Sequence, residues 1–176
     1  MEFELLGWPP DGPTLRLDYR QFSYAGKFVM TNTGKAVLRS DEAEAGGEFD
    51  DVLAAVAFNE DRTDADTLWI RYVTVRADRR GEGLGPRLLD CVSELALGRG
   101  YDRLRIAVNN PFAYEALYRA GFGFTGETTG LAELVLERPG DRTAERYRAG
   151  LDQFRERELS DAESAFLDDK RDADPP

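Results

Sequence analysis

The segment from Val73 to Leu89, VTVRADRRGEGLGPRLL, admits few local structures. Its β-branched start, ending at Val75, reads as the close of a strand over Thr67–Val75. Gly81, Gly83 and Gly85 then punctuate a turn over Arg79–Gly85. Pro86 suits the first turn of a helix, because proline has no N–H to waste there. Leu88, Val92 and Leu95 recur along one face of that helix, with Leu89 and Ala96 beside them. Gly98 and Gly100 end it, so the spacing predicts a helix over Pro86–Leu97. In a strand, glycine turn and helix start of this kind, backbone N–H groups point outward together. The helix dipole adds partial positive charge, and the glycines let an anion come close to the backbone. The natural ligand is a pyrophosphate.

Around this segment the pattern is mainly that of strands. Leu15–Tyr19 alternates and reads as a strand. Phe22–Met30 fits period two through Phe22, Tyr24, Gly26, Phe28 and Met30, and fits a helix through Phe22, Gly26 and Val29. Gly34–Arg39 is a short strand, and acidic, glycine-bearing Ser40–Asp51 an exposed loop. Val52–Phe58 is continuously apolar, as in a strand buried on both faces. Asn59–Asp66 is a polar turn. Arg103–Val108 is a strand, and Pro111–Ala120 a helix stopped by Gly121. Phe122–Glu127 and Leu131–Leu136 form a hairpin through Thr128–Gly130. Pro139–Gly140 marks a domain edge. Residues 1–138 are then one domain and 139–169 a charged helical extension. The extension carries a thin stripe of Tyr147, Leu151 and Phe154, and a capping box at Ser160 and Glu163. Residues 170–176 read as a disordered tail.

Two common phosphate motifs fail on the glycine turn. The dinucleotide fingerprint needs Gly-x-Gly-x-x-Gly, but Gly81-x-Gly83-x-x ends at Pro86. The P-loop's Gly-Lys-Ser/Thr is absent. What matches is Arg-x-x-Gly-x-Gly at Arg80, Gly83 and Gly85, flanked by Arg79 and Leu88–Leu89. This resembles the acetyl-CoA signature of the GCN5-related N-acetyltransferase (GNAT) family. A second segment, Asn110 to Phe122, is similar to that family's later motif, with Asn110, Ala113, Ala116, Tyr118, Gly121 and Phe122 at matching positions. The resemblance covers roughly Val52–Leu136 and is weak before residue 50. There the family's two helices between its first two strands have room only in reduced form.

The resemblance implies an α/β (α+β) fold: a mixed, mostly antiparallel central sheet with a splayed parallel strand pair and flanking helices. It implies an N-acetyltransferase that moves an acetyl group directly from acetyl-CoA to a primary amine of a small molecule, protein or peptide. The backbone at Val73 and Val75 would bond the pantetheine arm. The turn of Arg80, Gly81, Glu82, Gly83, Leu84 and Gly85 would hold the pyrophosphate, with Asn110 on the cofactor or an ordered water. Tyr118 would protonate the leaving thiolate, a phenol being close in pKa to a departing thiol. The bland alternatives are a packed core tyrosine and a helix N-cap at Asn110. Several members of the family carry a glutamate base in the first half of the Thr67–Val75 strand. Here that stretch has Trp69 and Arg71, which leaves Asp66 and Glu60, in or near the turn, as candidate bases. Trp69 either lines an acceptor pocket or is core. The competing function is a non-catalytic acyl-CoA-binding regulatory module, and a third is an interaction module using the acidic C-terminal helices.

Composition narrows the chemistry. There is no histidine, which removes imidazole bases, His triads and His metal ligands, so no metal site is expected. Cys91, the single cysteine, lies within the long helix, where an inert thiol is the expectation. The formal net charge of −11 repels phosphate backbones and argues against nucleic-acid binding. Lysine occurs only at Lys27, Lys35 and Lys170, and an acidic, lysine-poor surface suits a salt-rich cytoplasm, a halophilic reading. No run of about 18 apolar residues suggests a membrane span, and Met1–Pro10 does not read as a secretory signal. A cytoplasmic monomer or homodimer is the expectation, with no membrane partner.

Overall fold

The apolar run from Val52 forms the middle of a sheet in the computed structural model, which describes residues 1–41, 51–130 and 132–176. The strands β1 (Glu2–Gly7), β2 (Gly34–Arg39), β3 (Val52–Glu60) and β4 (Thr67–Val75) pair in that order, each antiparallel to the next. They belong to the first of two compact units, Met1–Leu104. Val52 through Phe58 are all buried, which is why their pattern is continuous rather than alternating. α1 (Leu84–Gly98) packs against β2, β3 and β4 and buries Leu84, Leu88, Leu89, Val92 and Ala96. Each such apolar side chain removed from water contributes about 1.5–3 kcal/mol.

The N-terminal third departs from expectation. Leu15–Tyr19 is not a strand; the first strand is β1, which is held by its pairing with β2. Instead Leu15 donates its N–H to the Phe28 carbonyl at 2.9 Å. Its side chain joins Phe22, Ala25 and Phe28 in a cluster with Val37, Val52, Ala55 and Ala57. The ambiguous stretch from Phe22 resolves as neither strand nor α-helix. A 3-10 turn at Ala25–Lys27 buries residues three apart, with Tyr24 left-handed at φ 60°. The acidic loop expected at Ser40–Asp51 falls mostly on residues 42–50, outside the described residues. At its edges, the Ser40 N–H donates to the Asp51 carbonyl at 2.9 Å.

Register in the β3–β4 pair shifts once. Ala57 faces Tyr72 and Phe58 faces Ile70, so Arg71 is an extra residue on β4. Such a bulge breaks strict alternation and re-aims the neighbouring side chains.

The second unit, Arg105–Pro176, holds most of β5 (Arg103–Val108) and the elements that follow it. α2 (Pro111–Arg119) precedes the antiparallel pair β6 (Gly123–Thr129) and β7 (Glu133–Arg138), and α3 (Ala144–Arg155) packs on β6. α4 (Asp161–Asp169) contacts α2 and α3 and carries the expected capping box, Ser160 with Glu163. The expected thin stripe is a full core face: Tyr147, Leu151 and Phe154 are each at most 1 % exposed. Residues 170–176 are held rather than loose. Lys170 pairs with buried Glu115 at 3.3 Å, and Arg148 donates to the carbonyls of Asp172 and Ala173 at 3.2 and 3.1 Å. No helix among the described residues is long and apolar enough to cross a membrane.

Candidate active site

The glycine turn has the backbone its sequence calls for. Gly81 and Gly83 stand at φ 84° and 78°, a region that side chains disfavour, and a Cβ at either would meet nothing within 4 Å. The turn therefore offers open space over the backbone. α1 begins at Leu84, two residues earlier than the periodicity implies, with Gly83 as N-cap. Its first internal bond is Arg87 N–H to the Gly83 carbonyl at 3.2 Å. The amides of Leu84 and Gly85 precede that bond and are among the donors a helix start leaves for a ligand. Arg80 is anchored below, its Nε on the Val75 carbonyl at 3.4 Å and its Nη2 on Ser23 Oγ at 3.1 Å. Arg79 pairs with Glu82 at 2.8 Å. Open space over the turn beside the amides of a helix start makes a cradle that suits an anion.

Val73 and Val75 lie on the last turns of β4, opposite Val56 and Ala54 of β3, and lead directly into the cradle. Toward the other end of the same strand lies a cleft of about 540 Å³, lined by Lys27, Glu60, Asp61, Trp69, Arg71 and Tyr72 among others. The bulge explains why both Arg71 and Tyr72 reach it. Glu60, one expected base, is in this lining and accepts the Tyr101 hydroxyl proton. That bond, together with burial as the larger cause, raises the Tyr101 phenol. Asp66, the other expected base, is exposed and does not line the cleft. Its N–H donates to Asp64 Oδ1 at 2.9 Å, and its carbonyl accepts Asp102 N–H at 2.8 Å, so it is a turn-forming residue.

Two cleft features escaped the sequence reading. Asp61 accepts Thr63 N–H at 2.8 Å, the Thr63 hydroxyl at 2.9 Å, and Trp69 Nε1–H. Those bonds, led by the Thr63 amide, hold its carboxyl down at about 2. Trp69 is thus a cleft wall fixed by a carboxylate. Lys35, fully buried in β2, donates to the Met30 carbonyl at 2.7 Å and to the Thr33 carbonyl and hydroxyl at 2.9 and 3.0 Å. It pins the strip of chain that borders the cleft, and burial pushes its ammonium below the usual range. The available signal was a lysine inside an apolar strand in a chain that otherwise prefers arginine.

Asn110 and Tyr118 are described within the second unit. The Asn110 carboxamide oxygen caps α2, accepting Ala113 N–H at 2.8 Å. Tyr118 is fully buried. Its ring lies 4.9 Å from that of Tyr114 and 4.7 Å from that of Tyr147, and its hydroxyl oxygen accepts Phe124 N–H at 2.9 Å. Cys91 sits on α1, where burial, then the charge of Asp90, pushes its thiol up, away from the nucleophilic thiolate.

Comparison with known proteins converges on one family. Two solved structures of similar fold are an acetyltransferase from Bacillus subtilis in complex with CoA and an IAA acetyltransferase from Bacillus cereus. The first is 13% identical with a TM-score of 0.55, covering 77% of this chain and 95% of that one. The second is 19% identical with a TM-score of 0.53, covering 77% and 97%. Nourseothricin acetyltransferase is 18% identical with a TM-score of 0.51, covering 77% and 96%. No curated protein matches the sequence significantly. The model of the acetyltransferase (GNAT) family matches residues 3–124, more than half of the chain and the whole of the cradle and cleft. With that match over more than half of its length, the chain belongs to the GNAT family of acetyl-CoA-dependent acyltransferases.

Proposed function

We propose that the chain transfers an acetyl group to a primary amine directly, with no acetyl-enzyme. The observation that carries this is the continuity of β4: the acceptor-sized cleft at Trp69–Tyr72 runs through Val73 and Val75 into the pyrophosphate cradle at Arg80–Gly85. Bound acetyl-CoA supplies the thioester. The chain's own residues supply the rest. The amides of the turn and of the α1 start hold the phosphates, and the backbone at Val73 and Val75 orients the arm toward the cleft. Glu60 takes the proton from the incoming ammonium, through water where the acceptor is short. The raised Cys91 thiol is a poor nucleophile, which favours direct attack by the amine.

Tyr118 is the proposed donor to the leaving thiolate. The Phe124 N–H on its oxygen would hold the phenolate left behind. Its complete burial favours a second reading, in which it serves the core and the thiolate takes its proton from water. Tyr118→Phe separates the two. As an acid, its loss lowers kcat by about 10²–10⁴-fold with near-normal CoA affinity. As a core residue, its loss leaves turnover near wild type, but costs about 1–3 kcal/mol of stability because Phe124 N–H loses its buried acceptor. The proposal itself is tested by thiol release from acetyl-CoA across a panel of small amines and peptide N-termini. No transfer to any of them by CoA-competent protein would refute it.

A further inference from the structure

The cleft's charges say what kind of amine it takes. Of its two carboxylates, Asp61 spends both oxygens on Thr63 and Trp69, while Glu60 accepts Tyr101 through one oxygen and keeps the other for a proton. Neither pairs with the cleft's three cations. Among the described residues no carboxylate oxygen lies within 4.0 Å of Lys27, Arg62 or Arg71. By contrast Arg39, Arg76, Arg105 and Arg155 each take one elsewhere on the chain. In a protein with 34 acidic against 23 basic side chains, this cleft reverses the balance, gathering three cations against two carboxylates.

Arg71 is also aimed. The bulge puts it on the cleft, its Nε donates to Asn59 Oδ1 at 2.6 Å, and its guanidinium carbon stands 5.2 Å from the Trp69 ring centroid. Trp69 is itself fixed by Asp61. One edge of the fork is therefore anchored and one face supported, which leaves both Nη groups to grip a planar or tetrahedral anion. Lys27 adds a second positive charge, its ammonium 5.8 Å from the Tyr72 ring centroid. With Glu60 in the same lining for the amine proton, one end of the cleft's chemistry suits an ammonium and the other an anion.

We infer that the acceptor is a small amine carrying its own anionic group, a carboxylate or a phosphate-type oxyanion, with Arg71 and Lys27 as the anion-recognising pair. This rests on the proposed amine transfer at the same cleft. Arg71 and Lys27 discriminate between acceptors, and the acetyl transfer itself is unchanged. The ammonium first gives one proton to Glu60, and the neutral nitrogen then forms the new bond to the acyl carbon. The carbon–sulfur bond breaks with its electron pair on sulfur, and the second proton that nitrogen sheds balances the one the thiolate takes up to leave as the CoA thiol.

The test uses amines built on the same three-atom backbone: propylamine, 3-aminopropanol, 1,3-diaminopropane, 3-aminopropanoate and 2-aminoethylphosphonate. The readouts are thiol release from acetyl-CoA, and quenching of tryptophan fluorescence by the same compounds with CoA present. The two anionic amines should exceed propylamine in kcat/KM by about tenfold or more, chiefly through KM, with the diamine lowest. They alone should give saturable quenching. Arg71→Gln and, separately, Lys27→Gln should shrink the ratio of 3-aminopropanoate to propylamine by several-fold and weaken quenching. Preference for 3-aminopropanoate alone would mark a carboxylate site, and preference for the phosphonate a phosphate-type site. Transfer that is equal for all, or best for the diamine, overturns this inference and leaves amine transfer standing. Saturable anion-dependent quenching without transfer to any amine keeps the anion site and overturns the transfer reading. Neither transfer nor quenching overturns both.

Discussion

Gly150→Ala should destabilise the protein, against the ordinary sign of that change. In a helix interior, glycine to alanine normally gains about 1 kcal/mol. Gly150 lies mid-way along α3 and is buried. A Cβ there would stand 2.1 Å from Tyr114 Oη, 2.4 Å from its Cζ and 2.6 Å from its Cε2. Tyr114 has no room to retreat. Its ring is 4.9 Å from Tyr118, 5.9 Å from Tyr147 and 5.7 Å from Phe154, and its hydroxyl donates to the Tyr147 carbonyl at 2.9 Å. Moving the ring loses that bond, worth about 1 kcal/mol, and overpacks its neighbours at about 1–3 kcal/mol. After the helix-propensity gain, the net loss is about 1–3 kcal/mol. Urea unfolding followed by circular dichroism should show a lower midpoint with an unchanged m-value. Gly98→Ala is the control, since a Cβ there meets nothing within 4 Å; it should stabilise by about 0.5–1 kcal/mol. Adding Tyr114→Phe to Gly150→Ala should recover part of the loss by removing the nearest atom. If Gly150→Ala instead stabilises as much as Gly98→Ala, the docking of α3 onto Tyr114 is wrong.

The same cluster sets an alkaline limit. Burial first, then hydrogen bonding, raises the Tyr114 and Tyr147 phenols, so the unfolded chain ionises them near pH 10 while the folded chain does not. Stability from these groups is complete below pH 10 and falls above it by about 1.4 kcal/mol per pH unit per phenol; Tyr147→Phe should roughly halve that slope in melts between pH 9 and 11. Gly83→Asp places a charged, strained residue at φ 78° in the cradle, and calorimetry should show CoA affinity reduced at least about tenfold, equal affinity refuting the cradle. With a net charge of −11, Tm should climb from low to molar KCl; a flat or falling trend would remove the salt-adaptation reading.

What the sequence disclosed follows from which interactions are local. The segment from Val73 to Leu89 is legible because strand, turn and helix start are each dictated by neighbours in the chain, and the structure differs there in starting α1 at Leu84 and in a 3-10 turn at Ala77–Arg79. The buried run Val52–Phe58 is legible for the same reason. β1 was missed although Glu2-Phe3-Glu4-Leu5 alternates, because a short edge strand declares itself only through its partner β2. The environments of Tyr118 and Asp61 were illegible on other grounds. The first is made by α3, whose Tyr147 lies 29 positions further on in the sequence, and the second by a turn that bends Thr63 and Trp69 onto one carboxylate. The bulge at Arg71 leaves no trace in composition or period, yet it decides which side chains border the cleft.

That extra residue on β4 also divides the chain into parts with different freedom to drift. Leu68 and Ile70 are held to the sheet interior and tolerate only close apolar replacements. Arg71, exposed at the bulge, and Lys27 on the irregular segment can be exchanged at little cost to folding. The strand thus joins two inheritances. Its last turns and the glycine cradle are fixed by backbone geometry and keep one donor, while the cleft beside the bulge is written in replaceable side chains. A lineage could retune its acceptor by a handful of substitutions there without reopening the problem of how the chain folds.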